Sequence, residues 1–232
     1  MGDDGPGLAA RAAVHAALGE PARLAVVDAL MLGDRSPSEL AAVLHLPSNL
    51  LAHHLRVLES AGVVERGRSE ADRRRTYVRL VPDVLQTAGS TARLRVPRVV
   101  FVCTQNSARS QLAAAMWSRR SPVPVASAGT HPSPRVHRRA LAVARRHGLP
   151  LHGTKPSLVG DVLRPEDLVV SVCDSAYEEL GAAPDRLHWS VPDPVPVDTD
   201  AAFERAYGEL EQRVDRLATA VTPSKDEGSG PT

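Results

Sequence analysis

The feature that most constrains this 232-residue chain is a cysteine and an arginine, Cys103 and Arg109, set at a strand-to-helix junction. Val99-Val100-Phe101-Val102 is an unbroken apolar run suited to a buried parallel strand. It leads directly into Cys103-Thr104-Gln105-Asn106-Ser107-Ala108-Arg109-Ser110, and a helical stretch from Gln111 to Arg120 follows. In that setting the amides of Thr104, Gln105, Asn106, Ser107 and Ala108 and the helix N-terminus converge on a tetrahedral anion, while Arg109 clamps two of its oxygens. The same field is expected to lower the Cys103 pKa and make it a nucleophilic thiolate at neutral pH, with Ser110 placed to hydrogen-bond the sulfur.

Two cysteines, Cys103 and Cys173, exclude a disulfide scaffold and a four-thiolate zinc site. Charge is balanced, 28 Lys+Arg against 27 Asp+Glu, so any nucleic-acid-binding surface is local rather than a property of the whole molecule. No apolar run approaches the ~20 residues a membrane span needs, and the chain reads as soluble and cytoplasmic.

The two halves follow different patterns. Up to about Leu94 the apolar spacing is mainly helical. Ser36-Pro37-Ser38-Glu39 has a capping hydroxyl, a proline at the first helical position and a glutamate at the third, and predicts a short helix ending near His45. Pro47-Ser48-Asn49 opens a second helix running to Ser60, with Leu51, Leu55 and Leu58 inward and Gly62 as its stop. Val63 to Arg66 and Thr76 to Leu80 then read as two strands around a polar hairpin tip, which completes a winged helix-turn-helix. The second helix offers Ser48, Asn49, His53 and Arg56 to the major groove of double-stranded DNA, and Arg68, Arg73, Arg74 and Arg75 of the tip can follow its phosphates. His53 and His54 point about 100° apart on a helix, one toward the groove and one toward the packing side, which argues against a joint metal site.

The run from Ser38-Glu39-Leu40-Ala41 through Asn49-Leu50-Leu51-Ala52-His53-His54-Leu55-Arg56 to Gly62-Val63-Val64 resembles the ArsR-type winged-helix repressors. That resemblance implies a homodimer that releases DNA on binding a metal or metalloid. No cysteine precedes Cys103, so a thiolate site for arsenite within this half is excluded, and no metal ligand is assigned.

The second half alternates strands and helices. Its loop resembles that of the low-molecular-weight phosphatase fold, and Arg109-Ser110-Gln111 is closer to the arsenate reductases, since the phosphatases usually have proline after arginine and serine. Leu168 to Asp174 is similar to the strand carrying the reductases' second redox cysteine, and His188 to Pro194 to the family's aspartate-proline loop. The resemblance implies Cys103 as nucleophile, Arg109 as oxyanion clamp, Asn106 as loop-shaping residue, Ser110 as thiolate stabiliser, Asp193 as general acid and Cys173 as second thiol. Three departures stand out. Gln105 replaces a common glycine at a position expected to want positive φ, Ala108 replaces a frequent cysteine of the loop, and Leu180 stands where thioredoxin-linked reductases carry a third cysteine.

The expected architecture is thus a winged helix over 8–86, a linker over 87–97, an α/β three-layer domain with a four-stranded parallel sheet over 98–220, and a disordered tail over 221–232. The expected function is a DNA-binding regulator that also reduces arsenate to arsenite. No bound cofactor is expected; the thiol that releases arsenite is either Cys173 or an external thiol such as mycothiol or glutathione, which the missing third cysteine favours, and a redoxin such as the thioredoxin system regenerates the enzyme. Phosphotyrosine hydrolysis and non-catalytic sensing of an oxyanion or arsenite are the alternatives. An aromatic content of 3% leaves little to grip a phosphotyrosine ring.

Overall fold

The computed structural model describes residues 8–81, 94–151, 155–183 and 185–224. The chain divides into two compact units, Met1–Thr91 and Ala92–Thr232.

In the first unit, α1 (Leu8–Leu18), α2 (Pro21–Leu30), α3 (Pro37–Leu44) and α4 (Ser48–Ser60) precede an antiparallel hairpin of β1 (Val64–Arg68) and β2 (Thr76–Leu80). The capping box forms: Glu39 N–H donates to Ser36 Oγ at 3.3 Å and Ser36 N–H to Glu39 Oε2 at 2.7 Å. Val26, Val27, Leu30, Leu40, Leu51, Leu55, Leu58, Val63 and Val78 make one buried cluster, so the inward leucines of α4 hold the helix-turn-helix against the hairpin. Helix α3 ends on His45 in the left-handed region (φ 52°), and the chain after α4 turns at Gly62 (φ 69°), where a glycine carries no steric cost. Arg35 and Val78 also exchange backbone hydrogen bonds of 3.1 and 2.8 Å, pairing the approach to α3 with β2.

The second unit is built on a fully parallel sheet in the order β5-β4-β6-β7. Its strands are β4 (Val99–Cys103), β5 (Val125–Gly129), β6 (Leu168–Ser171) and β7 (Arg186–His188). Strand β4 is buried along its whole length, as its unbroken apolar run requires. Helices α5 (Arg109–Arg120), α6 (Arg138–Arg146) and α9 (Asp200–Ala220) pack on one another, and α8 (Asp174–Leu180) packs on β4 and β6. A four-residue helix, α7 (Val159–Val162), lies between α6 and β6. The carboxyl ends of β4, β6 and β7 run into Cys103, Cys173 and the Asp193 loop, so the parallel topology brings three distant segments to one edge of the sheet.

Two stretches differ from expectation. Residues 94–97 belong to the expected linker and residues 221–224 to the expected tail, yet β3 (Leu94–Val96) pairs in parallel with β8 (Val221–Pro223). Three-residue strands whose partner lies over a hundred positions away show no periodicity of their own. The remainder of both expectations, 87–93 and 225–232, lies outside the described residues, as does 82–86 of the expected winged helix. Among the described residues no helix is long and apolar enough to cross a membrane.

At the opposite end of the sheet, Arg98 clasps Asp167 with bonds of 2.8 and 2.5 Å and donates to Val162 O at 2.7 Å. Burial pushes the Asp167 carboxyl up, but Arg98 and the Arg164 N–H together hold it below the usual carboxylate range. A carboxyl whose pKa falls on folding adds stability that is complete above its unfolded pKa and is lost as pH falls through the folded value. Asp167→Asn should therefore lower unfolding free energy by on the order of 3 kcal/mol at neutral pH, with the difference from the parent shrinking in acid, as urea melts at several pH values would show.

Candidate functional site

The loop after β4 is held by its carbonyls. Thr130 N–H donates to Cys103 O (3.2 Å), His131 N–H to Thr104 O (2.8 Å), Ser133 N–H to Gln105 O (2.9 Å) and His137 N–H to Ser107 O (2.8 Å). With these carbonyls turned toward residues 130–137, the loop amides are left to the inner side, and α5 begins at Arg109 with no side-chain cap on its N-terminus. Of these the Asn106 N–H is seen on the inner side, 3.2 Å from Cys103 Sγ, and the loop lies at the positive end of a twelve-residue helix, a setting in which an anion is favoured.

Cys103 Sγ sits inside this loop. Asn106 N–H donates to it at 3.2 Å and Ser110 Oγ lies 3.1 Å away. The left-handed residue of the loop is Asn106 (φ 49°), not Gln105, which corrects the expectation of a displaced glycine position. Asparagine tolerates that region because its short amide can bond locally, and here it does. Gly129, at the end of β5, closes the loop from below: a Cβ there would lie 2.7 Å from Thr104 O and 2.9 Å from Asn106 N. Composition and spacing gave no hint of this glycine, whose requirement arises only when β5 is placed beside β4.

Arg109 is buried; one nitrogen donates to Val191 O at 2.8 Å and another lies 2.9 Å from Asp193 Oδ2. Asp193 Oδ1 in turn accepts Val195 N–H at 3.1 Å. Cys173 Sγ lies 3.5 Å from Thr104 Oγ1, so the second thiol reaches the same loop. Burial pushes the Cys173 thiol up more strongly than Arg109 pulls it down. Cys103, Thr104, Asn106, Arg109, Ser110, Cys173 and Asp193 are thus brought together. Ser107 is buried; its hydroxyl turns to Gln105 Oε1 at 3.3 Å, and Ala108 is the N-cap position of α5. Trp189 is buried against Phe101 (ring centroids 5.6 Å apart). Among the described residues no cluster of three or more His, Cys, Asp or Glu is placed to hold a metal ion.

In the first unit, Ser48, Asn49, His53 and Arg56 all lie exposed on α4, while His54 is buried with Nδ1 3.6 Å from Glu20 Oε2. Arg68, Arg73, Arg74 and Arg75 are exposed at the hairpin tip, but Arg74 is engaged by Asp72 through bonds of 3.0 and 3.3 Å. Ser69 Oγ accepts the N–H groups of Ala71 and Asp72 at 3.0 and 3.1 Å, which gives the tip a defined turn.

A family model described as low molecular weight phosphotyrosine protein phosphatase matches residues 98–227, and one described as helix-turn-helix domain matches residues 18–67. A putative arsenate reductase of Halobacterium salinarum is 30% identical over 131 residues, 53% of this chain and 92% of that protein. An arsenate reductase of Halalkalibacterium halodurans is 30% identical over 132 residues, 52% of this chain and 94% of its own length. The HTH-type transcriptional repressor SmtB of Mycobacterium tuberculosis is 43% identical over 53 residues, 23% of this chain and 39% of the repressor. The crystal structure of a tyrosine phosphatase of Erwinia amylovora superposes with a TM-score of 0.50 at 22% identity, covering 54% of this chain and 93% of that one, a likeness of fold.

Gly129→Ala should cost at least about 1 kcal/mol of stability, because the added methyl meets backbone on the loop rather than a yielding side chain. The same variant should weaken binding of inorganic phosphate, read by isothermal titration. Cys173 should stay unlabelled by iodoacetamide at pH 8 in the native protein and label fully in urea.

Proposed function

The chain belongs to the low molecular weight phosphotyrosine protein phosphatase family through residues 98–227, and from that membership we propose that it is a DNA-binding regulator whose second unit reduces arsenate with its own two thiols. The observation that carries this reading is the second thiol: Cys173 borders the oxyanion loop through Thr104, where a two-thiol reduction needs it and phosphate-ester hydrolysis does not require it. The arsenate reductases among its relatives support the substrate.

In the proposed reaction, arsenate enters the loop and takes Arg109 from Asp193. The Cys103 thiolate attacks arsenic and a hydroxyl leaves as water, with Asp193 supplying the proton. Loop amides and Arg109 hold the charge on the remaining oxygens. The Cys173 thiolate then attacks Cys103 Sγ; the S–S bond forms, the S–As bond breaks, and its electron pair passes to arsenic, which leaves as arsenite. Two thiols have been oxidised and As(V) reduced to As(III). An external thiol or redoxin reduces the resulting disulfide, since Leu180 provides no third sulfur.

Phosphotyrosine hydrolysis is the second reading and is favoured by the family model itself. It shares the attack by Cys103, with water replacing Cys173. Trp189, the aromatic four positions before Asp193, is buried and so is kept from a ring-binding role, which weighs against it.

For the first unit the proposal is a homodimer that lays α4 in the major groove. Ser48, Asn49, His53 and Arg56 face base edges and phosphates there, and Arg68, Arg73 and Arg75 lie along the backbone. Arg74 contributes less because Asp72 already holds it. Arg73→Ala should reduce the slope of log affinity against log salt by about 0.9 in a DNA titration, while Arg74→Ala changes it less.

Arsenite production should vanish in Cys103→Ser with thioredoxin or mycothiol and mycoredoxin supplied. In Cys173→Ser it should fall at least tenfold, with arsenic retained on Cys103. Full activity in Cys173→Ser would assign the release to an external thiol. No turnover with any donor, together with arsenate- or arsenite-dependent loss of DNA binding, would make the second unit a sensor. Because burial keeps Cys173 protonated, the release step in the parent should accelerate as pH rises from about 7 to 9.

A further inference from the structure

Gln111 follows the cysteine-arginine loop and takes no part in the chemistry above, yet its side chain is among the most buried polar groups of the unit, 3% exposed. Its Nε2 donates to Asn106 Oδ1 at 3.1 Å, and the Ser157 N–H donates to the same oxygen at 3.0 Å. The other end of the Asn106 amide, Nδ2, donates to Ser110 Oγ at 2.8 Å and to Ser127 Oγ at 3.0 Å. Oxygen and nitrogen of an amide are distinguished by such partners, and a backbone N–H can only donate, so Oδ1 must face Ser157 and Gln111.

This orientation has a consequence one bond further on. Ser110 Oγ accepts from Asn106, which leaves its own proton for the atom on its other side, Cys103 Sγ at 3.1 Å. Were the amide turned over, Oδ1 would accept the Ser110 proton and the sulfur would lose its hydroxyl donor, keeping only the Asn106 N–H. A hydrogen bond to the charged form of an acid favours that form.

We propose that Gln111 is a positioning residue that fixes the Asn106 amide and thereby makes Ser110 donate its proton to the Cys103 thiolate. The proposal rests on the reading of Cys103 as nucleophile but not on arsenate as substrate.

The test is the pH dependence of iodoacetamide labelling at Cys103 in the full chain, read by peptide mass, which needs no turnover. Gln111→Met keeps the side chain's length and removes the donor; Gln111→Glu keeps its shape and sets an acceptor against Asn106 Oδ1. Each should move the labelling midpoint upward, so that labelling well below the midpoint falls three- to tenfold. In a Ser110→Ala background the same substitutions should have no further effect, because Gln111 acts through that hydroxyl. An unchanged midpoint in both variants would overturn the proposal, as would an equal shift with and without Ser110. Loss of arsenate turnover with an unshifted labelling profile would likewise count against this role, whereas a shifted profile in a protein that never reduces arsenate would leave it standing and refute the reductase reading instead.

Discussion

Everything the second unit does depends on the backbone of one loop being held with its carbonyls outward and its amides inward. Four N–H groups from residues 130–137 take the carbonyls of Cys103, Thr104, Gln105 and Ser107. Asn106, in the left-handed region, turns the chain so that its own N–H meets the sulfur of Cys103. Its side-chain amide satisfies all four of its hydrogen-bonding positions at the same time. A fully satisfied buried network is rigid, and rigidity is what the proposed oxyanion chemistry needs, since its donors must be in place before charge develops.

The rest of the fold supplies the partners for that loop. Parallel strands deliver Cys103, Cys173 and the Asp193 loop to one edge of the sheet, and the small end of β5 at Gly129 lets the loop settle close to the backbone. Asp193 and Val191 O hold Arg109 from a segment more than eighty residues away. At the other end of the sheet the Arg98–Asp167 pair ties β4 to the approach to β6, so the strand that carries Cys103 is held at both ends.

Much of this was readable beforehand wherever the signal is local. The capping box at Ser36 and Glu39, the inward leucines of α4, the hairpin after Gly62 and the strand-loop-helix at Cys103 are each written in consecutive residues. Helix-turn-helix and α/β phosphatase architecture follow from them. What escaped is non-local. The β3–β8 pairing joins residues 94–96 to 221–223, and the need for Gly129, Ser127 and Ser157 exists only once separate segments meet. Gln105 misled for a related reason: a likeness to glycine-containing loops put the left-handed turn there, whereas the hydrogen bonds of the folded loop set it at Asn106.

The central claim is that the two thiols of this chain suffice for one reduction. Protein freed of external thiol, mixed with arsenate and quenched after a single turnover, should yield one arsenite per chain, with both thiols lost to alkylation and a Cys103–Cys173 disulfide peptide in the digest. Intact thiols and no arsenite, in a protein that releases inorganic phosphate from an aryl phosphate, would contradict the account.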